Sequence, residues 1–149
     1  MTGIVYEQVM PHLVVKPHQV NDAIAFYQKA FGAEEVKRQT VKKQHPTGAD
    51  KSVQHAHLRF GHAEVLLVEE TEELGSSVHN ASSLHGTPVI LHINTSDVDA
   101  AFKQAVEAGA KVSEKVADQS WGQRYGKVID PYGFVWSLAT PIHGHSHTA

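Results

Sequence analysis

Trp121-Gly-Gln-Arg-Tyr-Gly-Lys-Val-Ile-Asp-Pro-Tyr-Gly-Phe-Val-Trp-Ser-Leu-Ala-Thr140 reads as strand, tight turn, strand. Asp130-Pro131-Tyr132-Gly133 puts Asp at the first turn position, Pro at the second and Gly at the fourth. That order predicts a type I turn. Polar and aromatic residues alternate on both sides of it, the period of a half-buried strand. The hairpin closes the second of two similar halves, and the repeat indicates where a small-molecule pocket would lie.

Residues 11–36 run Pro-His-Leu-Val-Val, a helical segment Val20–Phe31, then Gly32-Ala33-Glu34-Glu35-Val36. Residues 88–112 run Pro-Val-Ile-Leu-His-Ile, a helical segment Val98–Ala108, then Gly109-Ala110-Lys111-Val112. Each is a strand, an amphipathic helix, a helix-ending glycine and a second strand. The offset is 77 or 78 residues. Asp97 is placed to cap the second helix, and Asn21 or Asp22 lies near the start of the first. Gly32 and Gly109 suit the position just past a helix, where positive φ is cheap for glycine. Further strands are expected at Glu35–Val41, Ser52–Phe60 and Ala63–Glu69 in the first half, the last two joined by a Gly61-His62 turn. In the second half they fall at Lys111–Val116, Arg124–Ile129 and Phe134–Ala139. Each half is therefore βαβββ, and the fold class is α+β. Two polar stretches, Lys42–Lys51 and Thr71–Thr87, read as loops.

With 149 residues, the chain suits one domain. Its first module spans about 9–70, a linker 71–87, the second module 88–140, and a His-rich tail 143–149. A net charge of −3 gives no basic field for nucleic acid or anionic lipid, so neither nucleic acid nor membrane is an expected partner. Cysteine is absent, which excludes disulfides and thiolate chemistry. No apolar run reaches membrane-spanning length and no secretory apolar segment opens the chain, so a cytoplasmic protein is expected. Histidine is the outlier at 12 residues, three of which (His143, His145, His147) sit in the tail.

Paired βαβββ units with this closing hairpin resemble the vicinal oxygen chelate superfamily. That group includes glyoxalase I, bleomycin-resistance proteins, fosfomycin-resistance enzymes and extradiol dioxygenases. The matching elements are His12-Leu-Val-Val, Ala25-Phe-Tyr-Gln-Lys-Ala-Phe-Gly32, Ser96-Asp-Val-Asp-Ala-Ala-Phe102, Ala108-Gly-Ala110 and Asp130-Pro-Tyr-Gly133. Similarity to the PhnB-like branch rests on His55-Ala-His-Leu-Arg-Phe-Gly61, Trp121-Gly-Gln-Arg-Tyr-Gly126 and Trp136-Ser-Leu-Ala-Thr140. The resemblance implies two curved sheets around a cup, completed by a homodimer, with a divalent metal held in the cup of many members.

Alternation assigns the faces. A strand between a helix and a cup turns its apolar residues to the helix. Leu13 and Val15 take that side, leaving His12, Val14 and Lys16. Val89, Leu91 and Ile93 take it, leaving Ile90, His92 and Asn94. Ala56, Leu58 and Phe60 leave His55, His57 and Arg59, while Trp136 and Leu138 leave Val135, Ser137 and Ala139. If Gly61-His62 is a two-residue turn, His57 lies opposite Leu66 and His55 opposite Val68. Glu64, Leu66 and Val68 then face the cup and Glu69 faces away.

The resemblance implies four metal ligands, on the first and last strand of each half. These positions fall at His12, at Leu66 or Val68 (Glu69 if the register slips), at Ile90, and at Ser137 four residues after the turn glycine. One ligand, at most two, survives. The chain is therefore expected to bind an amphipathic organic ligand without a metal cofactor. The competing reading is a rebuilt site of His12, His57 and His92, with His55 nearby, holding Zn, Ni, Fe or Mn for lyase, isomerase or dioxygenase chemistry. Trp121, Arg124 and Tyr125 could stack on and pair with a planar or anionic ligand, or else Arg124 bridges to a surface carboxylate. The expected ligand pocket is His12, His55, His57, Ile90, His92, Asn94, Trp121, Arg124, Tyr125 and Ser137. Arg59 and Glu64 read as a cross-strand ion pair, and Phe26, Tyr27, Phe31 and Phe102 as core, with the Tyr27 hydroxyl at the helix edge. No nucleophile–base pair is recognisable in the sequence.

Overall fold

The computed structural model describes residues 3–41 and 52–142. In chain order the elements are β1 His12–Val15, α1 Val20–Phe31, β2 Glu34–Val41, β3 Ser52–Phe60, β4 Ala63–Glu69, α2 Ala81–Leu84, β5 Ile90–Asn94, α3 Val98–Ala108, β6 Lys111–Asp118, β7 Gln123–Ile129 and β8 Val135–Pro141. They form two four-stranded sheets, β1-β4-β3-β2 and β5-β8-β7-β6, neither closed into a barrel. In each, the first strand pairs in parallel with the last and the others pair antiparallel. The two halves are thus both βαβββ.

The helix boundaries follow local chemistry. On α1, Val20, Ala23, Ile24, Phe26, Tyr27 and Ala30 are buried, the spacing of a broad apolar stripe. Gly32 ends the helix at φ 65°, donating to Gln28 O while the Ala33 N–H reaches Tyr27 O, which satisfies two orphan carbonyls. Asp97 caps α3 by accepting from the Ala100 N–H at 3.1 Å. The start of α1 differs from expectation. Gln19 is its cap residue, but its side chain accepts from the Lys16 N–H at 3.1 Å rather than from the helix, and Asn21 accepts from Arg38 at 3.2 Å.

The β3–β4 hairpin has the expected register, and the second hairpin turns at the expected Asp130–Gly133. Phe60 pairs with Ala63, Arg59 with Glu64, His57 with Leu66 and His55 with Val68. In the second, Gly133 donates to Asp130 O at 3.2 Å, and the Asp130 Oδ1 accepts from the Tyr132 and Phe134 N–H groups. Gly126 on β7 is forced by contact: a β-carbon there would lie 2.9 Å from Val116 and 3.0 Å from Phe102.

One core joins the halves. Trp136 of β8 lies 5.5 Å from Tyr27, 4.8 Å from Phe31 and 5.4 Å from Phe60, centroid to centroid. Tyr27 does not keep its hydroxyl at the helix edge. The residue is fully buried, and its O–H donates to Asp130 Oδ2, which also accepts from the Trp136 indole at 2.8 Å. Burial pushes the Asp130 carboxyl above the usual carboxylate range against the pull of these donors, and burial pushes the Tyr27 phenol well up.

The stretch Thr71–Thr87 is more ordered than a plain loop. It holds a 3₁₀ turn at Glu72–Leu74 and the short α2, whose cap Asn80 accepts from Ser83 N. Glu70 receives both the Asn80 N–H, at 2.9 Å, and the Asn80 amide. The stretch Lys42–Lys51 and the tail from His143 lie outside the described residues.

Candidate functional site

Cross-strand pairing sets the cup-face residues in rows. In the first sheet one row is His12, Leu66, His57 and Lys37, and the next is Val14, Val68, His55 and Gln39. In the second sheet the rows are Ile90, Val135, Ile129, then His92, Ser137, Lys127, then Asn94, Ala139, Tyr125. The opposite faces carry Leu13, Val15, Ala56, Leu58, Leu67, Trp136 and Leu138, all buried in the core. Val89 departs from its expected place: it precedes β5 and is 57% exposed.

Most polar cup-face groups already hold protein partners. His92 Nδ1 meets the Ser137 hydroxyl at 2.6 Å and its Nε2 meets Asn94 Oδ1 at 3.0 Å. The Tyr125 ring stacks on His92 at 6.1 Å, and Trp121 stands edge-on to Tyr125 at 5.6 Å. His57 Nε2 lies 3.0 Å from Glu64 Oε2 as an ion-pair contact without hydrogen-bond geometry, and Glu64 accepts from Gln8 and Arg59. The Gln8 bond and the His57 contact hold the Glu64 carboxyl below the usual range. His12 Nδ1 faces Met10 O at 3.2 Å. Arg124 is off the cup. It pairs with Thr140 on the face toward α3 and is spent on Asp99 at 2.9 Å and Asp118 at 3.1 Å. Its bonds to Asp99 hold that carboxyl down. The bridge to surface carboxylates is therefore the reading that holds, because adjacent strand residues point to opposite faces and Tyr125 takes the cup.

A sizeable cavity lies elsewhere among the described residues. About 750 Å³ opens along the seam between the β3–β4 hairpin and β5. β1 and β5 are edge strands of separate sheets, and β5 borders the cavity. Phe31, Phe60 and Trp136 line it, joined by Val65, Leu91 and Ile93, with Gln8, His62, Glu64, His92, Asn94 and Thr95 supplying polar groups. Of the ten pocket residues expected from sequence, His92 and Asn94 line this cavity, and His12 lines a smaller one of about 260 Å³ near the start of β5. His55, His57, Ile90, Trp121, Arg124, Tyr125 and Ser137 line neither. The aromatic lining was read from sequence only as core. Its signal was the clustering of Phe60 and Trp136 beside turns, where a helix-side aromatic can reach a sheet edge.

A divalent metal does not fit these residues. His12 is paired with Leu66, and Ile90 with Val135. The Ser137 hydroxyl is engaged with His92, and both His92 nitrogens are taken. Glu69 pairs with Val15, two residues along β4 from core Leu67, so it alternates to the helix side. Among the described residues no three or more His, Asp or Glu side chains stand close enough to share an ion, so His12, His57 and His92 form no such set.

Comparison with known proteins fits this architecture. An uncharacterized protein of Mycobacterium bovis is 42% identical over 133 residues, covering 89% of this chain and 82% of the relative. An uncharacterized Arabidopsis thaliana protein is 30% identical over 139 residues, covering 93% and 81%. The X-ray structure of an Arabidopsis gene product superposes with a TM-score of 0.72 at 29% identity, covering 91% of this chain and 99% of that one. TioX from Micromonospora gives 0.66 at 21% identity, covering 91% and 100%. The fosfomycin resistance protein FosX from Listeria monocytogenes gives 0.63 at 15%, covering 94% and 97%, a likeness of fold alone. A sequence model of the glyoxalase/bleomycin resistance protein/dioxygenase superfamily matches residues 9–138, and the chain belongs to that superfamily.

Proposed function

We propose that this chain is a metal-independent small-molecule binding protein that takes an amphipathic organic ligand, acts as a homodimer and works in the cytoplasm. One observation carries the reading: a cavity of about 750 Å³ pairs an aromatic lining of Phe31, Phe60 and Trp136 with polar groups at His92, Asn94, Glu64 and Gln8. That volume suits a drug-sized ligand, and an apolar wall with a few convergent polar groups is the usual make-up of such sites. A flat apolar portion would rest against the rings, and a polar group would exchange hydrogen bonds with the Asn94 amide. The absence of a fitting ligand set among the described residues supports binding without a metal. Membrane insertion by helices has no support, since no helix of the described residues is long and apolar enough to cross a membrane.

Isothermal titration with a panel of amphipathic aromatic compounds, in buffer containing a chelator, tests this. The expected result is saturable binding that weakens about 10-fold in Asn94→Ala, the loss of one hydrogen bond of about 1 kcal/mol or slightly more. The reading fails if no compound binds. It also fails if binding demands stoichiometric metal that His12→Ala removes, which would favour a metal-dependent lyase, isomerase or dioxygenase. Cell fractionation checks the location.

A further inference from the structure

Ser137, His92 and Asn94 form a bonded chain on the cup face of the second sheet. The Ser137 hydroxyl and His92 Nδ1 are 2.6 Å apart, and His92 Nε2 and Asn94 Oδ1 are 3.0 Å apart. The carboxamide oxygen can only accept, so Nε2 carries the proton and donates it. The Nδ1 lone pair is therefore turned to the serine hydroxyl. A hydroxyl within hydrogen-bond reach of a base, with the base oriented by a third group, is the arrangement that activates a nucleophile. Parallel pairing of β5 with β8 sets Ser137 directly opposite His92, and the Tyr125 ring stacks on the imidazole.

We propose that Ser137 is an acylatable nucleophile, with His92 as its general base and Asn94 as a positioning residue, and that it reacts with activated carboxylic esters of planar alcohols. The inference goes beyond ligand binding and does not require it. In the acylation step the Ser137 Oγ bonds to the ester carbonyl carbon and His92 Nδ1 takes the hydroxyl proton. The tetrahedral adduct then expels the alkoxide, which leaves with that proton as the alcohol. Water, activated by the same imidazole, adds to the acyl-serine and releases the acid with Ser137 restored. His92 is exposed and Asn94 with it, whereas Ser137 is only 2% exposed. Ester and hydrolytic water must therefore both approach the hydroxyl from the side of the exposed imidazole. Tyr125 and Trp121 supply aromatic surface there for a planar leaving group.

A fluorophosphonate probe tests the nucleophile directly: a P–O bond forms at Ser137, the P–F bond breaks, and fluoride leaves while His92 takes the proton. Peptide mapping of the labelled, unmutated protein by mass spectrometry is expected to place one adduct on Ser137. Labelling is expected to vanish in Ser137→Ala. It should slow about 100-fold or more in His92→Ala, the scale of a lost general base. Asn94→Ala should slow it less, and Asn94→Asp should restore it, a rescue that a purely structural role would not give. Release of p-nitrophenol from p-nitrophenyl acetate should follow the same order. Circular dichroism of each variant confirms folding, and the adduct's position in the unmutated protein needs no variant. No adduct, adducts scattered over other side chains, or an unchanged rate in folded His92→Ala would overturn the proposal.

Discussion

At the scale of single residues, Tyr27 and Asp130 tie distant parts of the chain together. Their side chains come from positions 103 apart in sequence, one on α1 and one on the β7–β8 turn. Asp130 serves four donors at once: the Tyr27 hydroxyl, the Trp136 indole and the Tyr132 and Phe134 amides. A buried carboxyl is tolerable only when its acceptor sites are filled. Tyr27→Phe removes one donor without changing shape. It should destabilise the protein by about 1–3 kcal/mol, the cost of leaving a buried acceptor partly unpaired, read as a lower urea midpoint with an unchanged slope. An unchanged midpoint would show that the bond contributes nothing net. The turn itself was legible, because Asp, Pro and Gly hold backbone positions by local sterics. The Tyr27 contact was not, because a hydroxyl at the edge of a helical stripe carries no local sign of a partner 103 residues away.

At the scale of elements, the segment after β4 shows how a polar stretch is held. Glu70 continues β4 by donating its N–H to Val15 O, and its carboxylate takes the Asn80 amide groups and the His79 imidazole. The backbone N–H of Asn80, then its side chain, then His79 hold the Glu70 carboxyl below its ordinary range. A carboxyl lowered by folding adds stability above the ordinary carboxylate value and loses it as pH falls through the lowered one. Hydrogen exchange at the Asn80 and Ser83 amides should therefore be slow at neutral pH and lose protection below about pH 4, near the ordinary Glu value. Glu70→Gln should show weakened protection already at pH 7. Equal protection in both proteins across that range would remove Glu70 from this role. Composition alone read Thr71–Thr87 as a loop, since Glu, Ser and Gly favour turns whether or not a neighbouring carboxylate organises them. Strand faces were legible in the same region because a period of two leaves no choice once one side is oily.

At the scale of the whole molecule, periodicity within each half was readable, whereas the relation between the halves was not. Alternation fixed which side chains share a face, and the Gly61-His62 turn fixed the β3–β4 register. The seam cavity and the His92–Ser137 bond depend on pairings between residues tens of positions apart, which no short window encodes. Some apolar groups stay exposed in the folded chain. Ile90 and Ile129, at the two ends of one cup-face row, are 52% and 36% exposed, and Ile4, Val5, Tyr6 and Val9 are 78% to 93% exposed. Exposed apolar groups in one row are a candidate contact surface for a second copy. A two-fold related copy would cover the row on both chains at once, since an isologous contact uses the same patch twice. Light scattering should then give twice the 16.3 kDa chain mass. Ile90→Glu should shift the protein toward the monomer, because a carboxylate buried at the interface without a partner costs several kcal/mol. A parent protein that stays monomeric at high micromolar concentration would refute the homodimer, and a dimeric Ile90→Glu variant would move its interface away from this row.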